Sequence, residues 1–97
     1  MKTLEKFNQG ITLATYAYNE ESLIGEFLDK AWSLMNESAI DYEIIVLDDG
    51  STDKTYTIAK SYSDKYPQVR VFQNEKNLNV WNCFMKTMQL STKKYIF

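Results

Sequence analysis

Two short polar clusters carry the residue types in this chain that could do chemistry. The first is Tyr16, Ala17, Tyr18, Asn19 and Glu20, at the end of the apolar and β-branched run that begins at Ile11. The second is Asp48, Asp49, Gly50 and Ser51, directly after the apolar run from Ile44 to Leu47. An aromatic face can stack on a base, a carboxylate can accept from base N–H groups or ribose hydroxyls, and helix N-termini attract phosphate oxygens. The combination suits a nucleotide. Each part also has a structural reading: Asn19 and Asp53 as helix caps, Gly50 and Ser51 as a tight turn, either tyrosine as a core ring with its hydroxyl at the surface. The adjacent carboxylates weigh toward function, because a turn or a cap needs only one and their mutual repulsion must be tolerated. Lys76 reads as solvated charge.

Periodicity indicates which elements must position these clusters. A buried strand over residues 11–16 is followed by a helix that Asn19 would cap, with Glu20 and Glu21 at the positive end of its dipole. Leu23, Ile24, Phe27, Leu28, Ala31, Trp32 and Met35 then lie on one helical face. The run Ile44 to Leu47 is too short for a helix and lacks the alternation of a one-sided strand, so it reads as a central parallel strand. Asp53 would cap a second helix with Ile58, Ala59, Tyr62 and Tyr66 on its apolar face, and Pro67 stops it. Val69 to Gln73 alternates as a third strand, and NEKNLN is a polar loop. Trp81, Phe84, Met85 and Met88 trace the expected core face of a third helix, and Tyr95 to Phe97 begins a fourth strand.

This alternation is that of an α/β fold: an open, mostly parallel, Rossmann-like sheet with helices on both faces and the strand order 3-2-1-4. Ligands bind such sheets at the carboxyl ends of the strands. The order places the two clusters side by side there.

Composition narrows the alternatives. A chain of 97 residues makes one domain, 1–97, and 44% apolar with 25% charged residues excludes disorder. Eleven basic against 13 acidic residues, without a basic run, argue against a nucleic-acid partner. The absence of His removes Ser-His and Cys-His nucleophiles and the usual zinc ligands; the single Cys83 permits no internal disulfide and favours a reduced, cytoplasmic setting. No stretch approaches about 18 consecutive apolar residues, and MKTLEKFNQG lacks the apolar core of a signal peptide. There is no phosphate-binding Gly-x-x-x-x-Gly-Lys and no Gly-x-Gly-x-x-Gly. The adjacent aspartates of LDDGST do not fit a haloacid-dehalogenase loop, which needs two separated by one residue, and a phosphorelay receiver would place its acidic pair after strand one. The fourth strand stops after three residues, where about five or six are usual, so the chain reads as truncated. Its exposed edge, or the adjoining helix face, is expected to drive self-association.

Taken together, YAYNEESLIGEFLDKAW, DYEIIVLDDGSTDKT and the NEKNLN loop resemble the first half of family 2 glycosyltransferases with the GT-A type fold, over about residues 10–97. The resemblance implies that the two clusters bind the nucleotide of a sugar-nucleotide donor. Tyr18 would lie against the base, Glu20 would help line its pocket, and Asp49 would accept from the base or ribose with Asp48 supporting it. Tyr16 stands where the family commonly has Pro, and Asn79 where it commonly has Gly; Asn tolerates a left-handed backbone better than most residues. The family's metal-binding Asp-x-Asp, its acceptor-binding half and its general base would all lie past Phe97. The expectation is therefore the nucleotide-binding half of an inverting transferase, taking a UDP-sugar and an acceptor hydroxyl or phosphate. Mg²⁺ or Mn²⁺ would serve the full-length enzyme, with no metal, no catalytic residue and no turnover in this chain alone. The full-length protein would be cytoplasmic, with membrane association left open. The alternative is a non-catalytic nucleotide-binding or protein-interaction module of the same fold.

Overall fold

In the computed structural model, which describes residues 8–97, the chain runs β1 (Ile11–Ala17), α1 (Ile24–Ser38), β2 (Tyr42–Asp48), α2 (Thr55–Lys65), β3 (Val69–Gln73), α3 (Val80–Leu90) and β4 (Tyr95–Ile96). The reading of the amino terminus rests partly on residues 1–7, which lie outside the described residues. The strands form one parallel sheet in the expected order β3-β2-β1-β4. Every residue of β2 is buried. With β1 and β3 on its edges and helices on its faces, β2 has no solvent side, which is why its sequence does not alternate.

The pleat sorts the rest. Ile11, Leu13, Ala17, Ile44, Val46, Val69 and Val71 belong to one core with Ile24, Leu28, Ala31 and Met35 of α1 and Ala59 of α2. Successive side chains on a strand point to opposite faces, so Thr12, Glu43, Ile45 and Leu47 face the other way. There α3 lies, and its final carbonyl at Leu90 accepts from Arg70 at 3.0 Å.

Three local expectations change. Asn19 does not cap α1: it sits at φ 51, and the helix begins at Ile24 after a turn in which Leu23 and Ile24 N–H donate to the Glu20 carbonyl. Asp53 lies one residue before the N-cap of α2, where it accepts from Thr55 N–H at 2.9 Å. The third change is larger. Trp81, Phe84, Met85 and Met88 are not core but 67%, 50%, 42% and 46% exposed, and Cys83 and Thr87 are the buried residues of α3. A helix rests on a sheet along one narrow row, and these two small side chains, four residues apart, make that row. Beyond β1 the only strand among the described residues is the two-residue β4, paired through Ile11↔Tyr95 and Thr12↔Ile96, so the rest of the apolar stripe overhangs the sheet.

The α3 face of the sheet holds a buried charge. Glu43 is 3% exposed; it accepts from Thr12 Oγ1 at 2.6 Å, Thr92 N–H at 2.7 Å and Arg70 at 2.8 Å. Burial pushes this carboxyl up, but the bonds from Thr12, Thr92 and Arg70 outweigh it and hold Glu43 below the usual glutamate range. A value lowered by folding makes a contribution that is complete above the unfolded value, about 4.3, and is lost as pH falls through the lower folded value. Glu43→Ala is expected to cost about 2 to 4 kcal/mol at neutral pH, below the figure for a fully buried pair. The reason is that the Arg70 side chain is 35% exposed and can reach water. Urea unfolding of both proteins checks this: the gap should narrow toward about pH 3, and a gap independent of pH would assign the loss to packing.

Candidate functional site

Ala17 and Asp48 pair in register at the ends of β1 and β2, so the segments that follow them leave the sheet from one place. Those segments are laced together. Asn19 N–H donates to Ser51 Oγ at 2.8 Å, and Asn19 Oδ1 accepts from Thr52 N–H at 2.8 Å. Glu20 N–H donates to Thr55 Oγ1 at 2.7 Å and Glu21 N–H to Asp53 Oδ2 at 3.2 Å, while Lys54 N–H donates to Glu21 Oε2 at 3.2 Å. Backbone groups in turns have no ladder partner, and here each turn supplies the acceptors for the other. The two clusters form one unit, as the strand order leads one to expect.

Asp48 and Asp49 are both fully buried, and the pleat separates them. Asp48 points to the side of α1 and α2, where it accepts from Ser51 N–H at 3.1 Å, from the Ser51 hydroxyl, and from Gln73 Nε2 at 3.2 Å. Asp49 points to the side of α3. It accepts from Asn74 Nδ2 at 2.8 Å, Leu78 N–H at 2.8 Å and Asn79 N–H at 3.2 Å. Neighbours in sequence, the two carboxylates answer to different sets of donors, which removes the repulsion that adjacency suggests. Burial would raise the Asp49 carboxyl, but donors from Asn74, Leu78, Cys83 and Asn79 outweigh it and hold the group below its ordinary range.

Those bonds draw the segment 74–79 down over the strand ends. Gly50 adopts φ 74, and a Cβ there would stand 2.9 Å from the Lys76 carbonyl carbon, so the close approach requires glycine. Asn79, at φ 78, starts α3 and accepts from Asn82 N–H at 3.0 Å. It meets the left-handed requirement that glycine meets more readily, and it caps the helix as well.

The two rings are at the surface, Tyr16 at 37% and Tyr18 at 39% exposed. Burial and, after it, the Asp49 charge push the Tyr16 phenol above its ordinary value. Tyr16 is the wall between two hollows. One, of about 310 Å³, includes Ala14, Val80, Phe84 and Phe97; the other, of about 200 Å³, includes Glu20, Leu23 and Phe27. Tyr18, Asp48 and Asp49 line neither. The surface thus offers a free ring at Tyr18 and a carboxylate at Glu20, carried on turns whose shape is set from below by Asp48 and Asp49.

Sequence reasoning passed over Thr55 and Asn74 as working parts, and named Ser51 only as a member of the second cluster and its turn. Asn74 is 4% exposed and follows β3, adjacent to Asp49 only because β2 and β3 pair; that pairing was the one available signal. The Cys83 thiol is buried and pushed up to about 11, first by burial and then by Asp49, so it is not an activated nucleophile. Among the described residues no group of three or more His, Cys, Asp or Glu could hold a metal ion, and no helix is long and apolar enough to cross a membrane.

Comparison with known proteins identifies the family and the fold. The family model described as glycosyl transferase family 2 matches residues 12–97. A dolichyl-phosphate beta-glucosyltransferase of Dictyostelium discoideum is 33% identical over 86 residues, covering 81% of this chain and 26% of the relative. The human dolichyl-phosphate beta-glucosyltransferase is 36% identical over 74 residues, covering 69% of this chain and 23% of that protein. A poly(ribitol-phosphate) beta-glucosyltransferase of Bacillus spizizenii (strain ATCC 23059 / NRRL B-14472 / W23) is 42% identical over 69 residues, 69% of this chain and 10% of its own length. The chain therefore spans about a quarter or less of these relatives. In three dimensions it superposes on mannosyltransferase PcManGT from Pyrobaculum calidifontis, solved in complex with GDP-Man and Mn²⁺, with a TM-score of 0.82. That match has 20% identity and covers 93% of this chain and 26% of the other, and it shows a shared GT-A fold. On its sequence, the chain belongs to glycosyl transferase family 2.

Proposed function

We propose that this chain is the donor-nucleotide-binding half of an inverting sugar transferase that uses a UDP-sugar. The observation that carries the reading is the lacing of the Asn19–Glu21 turn to the Ser51–Thr55 turn, which presents Tyr18 and Glu20 at the strand ends. In this reading the base lies against Tyr18 and Glu20 helps line its pocket, with Tyr16 at the edge. Asp48 holds the Ser51 turn, and Asp49 holds segment 74–79 while offering its Oδ2 to a base or ribose donor. The Asn79 N–H bond to that oxygen, at 3.2 Å, is the longest of the three and the one such a donor would replace.

Three relatives named as beta-glucosyltransferases support inversion, since a beta-linked product from an alpha-linked donor is the outcome of one in-line displacement. The acceptor is a hydroxyl or a phosphate, a class to which the dolichyl-phosphate and poly(ribitol-phosphate) of those names belong. A cytoplasmic location goes with this reading, and a polyprenyl-phosphate acceptor would bring the full-length protein to a membrane. Mg²⁺ or Mn²⁺ belongs to the full-length reading; the described residues offer it no ligand set, so no step here runs through it. The work of this chain is to bind and orient the donor's nucleotide. Self-association belongs to the same reading. Trp81, Phe84 and Met88 of α3 and Phe97 after β4 are exposed, and the contact would bury them.

Base stacking on an aromatic ring is worth about 1 to 3 kcal/mol, so Tyr18→Ala is expected to weaken UDP binding about 5- to 150-fold with the fold intact. Ligand-observed NMR titration decides it; unchanged affinity removes Tyr18 from the site, and tighter binding of GDP than of UDP overturns the choice of base. Asp49→Ala should weaken binding as well, but it also removes the anchor of segment 74–79 and cannot isolate the contact.

In this reading the base and the metal ligands lie outside this chain, so the purified protein is expected to transfer no sugar from UDP-sugars with Mg²⁺ or Mn²⁺ added. Metal-dependent turnover in a radiolabel assay would overturn the division of labour. Light scattering at micromolar concentration should give a mass above the monomer, and a monomer at every concentration would remove the association.

A further inference from the structure

A lysine that no motif includes is tied to the buried carboxylate at the site. Lys86 Nζ, on α3, donates to Asn74 Oδ1 at 2.6 Å, and the same amide donates through Nδ2 to Asp49 Oδ1 at 2.8 Å. Asn74 is almost wholly buried, and its own N–H donates to the Asp48 carbonyl at 2.9 Å, so its backbone continues the β2–β3 pairing. The amide therefore stands between an ammonium and a carboxylate, and only one orientation satisfies both: carbonyl toward Lys86, amino group toward Asp49. The opposite orientation would set a carbonyl against a carboxylate and an amino group against an ammonium.

We propose that Lys86 is a positioning residue which, through Asn74, aims Asp49 at Leu78 and Asn79 and so holds segment 74–79 against Gly50. The ammonium polarises the amide and strengthens its donation to Asp49. With Asn74 filling one side of Oδ1, the carboxylate plane is set so that Oδ1 meets Leu78 N–H and Oδ2 meets Asn79 N–H. Segment 74–79 then lies across the strand ends beside the turns that carry Tyr18 and Glu20. The consequence for affinity rests on the nucleotide-binding reading above; the positioning itself does not. The α3 helix, whose apolar stripe makes little contact with the sheet, is thereby tied to the site by a polar contact from its second turn.

Three substitutions separate charge from packing. Lys86→Met keeps the length and removes the ammonium, Lys86→Arg restores a cation, and Lys86→Glu favours the reversed amide. The first readout is the backbone amide proton shifts of Leu78 and Asn79, which bonding to a carboxylate moves downfield. The expected order of displacement is wild type and Arg first, then Met, then Glu, with melting temperatures of Met and Arg within about 2 °C of wild type. UDP affinity should follow the same order and fall about 3- to 10-fold in Lys86→Met, the size of effect open to residues that modulate a site without touching its ligand. Leu78 and Asn79 shifts in Lys86→Met equal to wild type would overturn the proposal. So would loss of fold in that variant, which would make Lys86 a structural residue. A wild type that fails to bind UDP would sink the nucleotide reading, while the amide shifts would still decide the positioning.

Discussion

A carboxylate taken out of water must have its lone pairs filled, and at Asp49 that requirement organises the carboxyl edge of the sheet. In this structure its donors come from the protein, chiefly from one segment: the Asn74 amide and the N–H groups of Leu78 and Asn79. Folding segment 74–79 inward to supply them brings its backbone onto Gly50, which accounts for the positive φ there, and fixes the direction in which α3 departs from Asn79. One buried charge thus links strand β2, a polar loop and a helix that share little apolar contact.

The two ends of the sheet solve a similar problem with different parts. Near the amino ends of the strands, Glu43 gathers Thr12, Thr92 and Arg70; near the carboxyl ends, Asp49 gathers Asn74, Leu78 and Asn79. Both lie on the face covered by α3, with the fully buried Ile45 and Leu47 between them. The opposite face, under α1 and α2, is a continuous apolar core. This asymmetry explains the character of α3: it approaches a polar sheet face through Cys83 and Thr87 and turns its large apolar side chains elsewhere. Of those side chains Phe84 borders the hollow beside Tyr16, on the side of the sheet where β1 outruns β4.

Chain order and topology agree over the whole alternation of strands and helices. The parallel order, the central position of β2 and the adjacency of the two polar clusters all follow from periodicity together with the handedness of crossovers. Near-neighbour rules failed at the caps. Asn19 and Asp53 have the residue types of N-caps, but their side chains also bond across the crevice, Asn19 to Thr52 and Asp53 to Glu21. Capping propensity describes an isolated helix end, and here another turn about 32 residues away competes for the same oxygens.

The sequence alone determined the fold class, the strand order and the adjacency of the two polar clusters, because those depend on the period of apolar residues and on turn chemistry, which are local. It also marked Asp48 and Asp49 as more than turn residues; in the structure both are fully buried and hold the neighbouring turns through protein donors. Only the tertiary structure decided that the two carboxylates point to opposite faces, that Asn74 and Lys86 belong with Asp49, and that the apolar stripe of α3 faces outward. Each depends on which side of the sheet an element crosses to and on what lies beneath it. A hydrophobic period shows that a helix has an apolar face, but whether there is a strand for that face to cover depends on the width of the sheet, and β4 ends too soon to provide one.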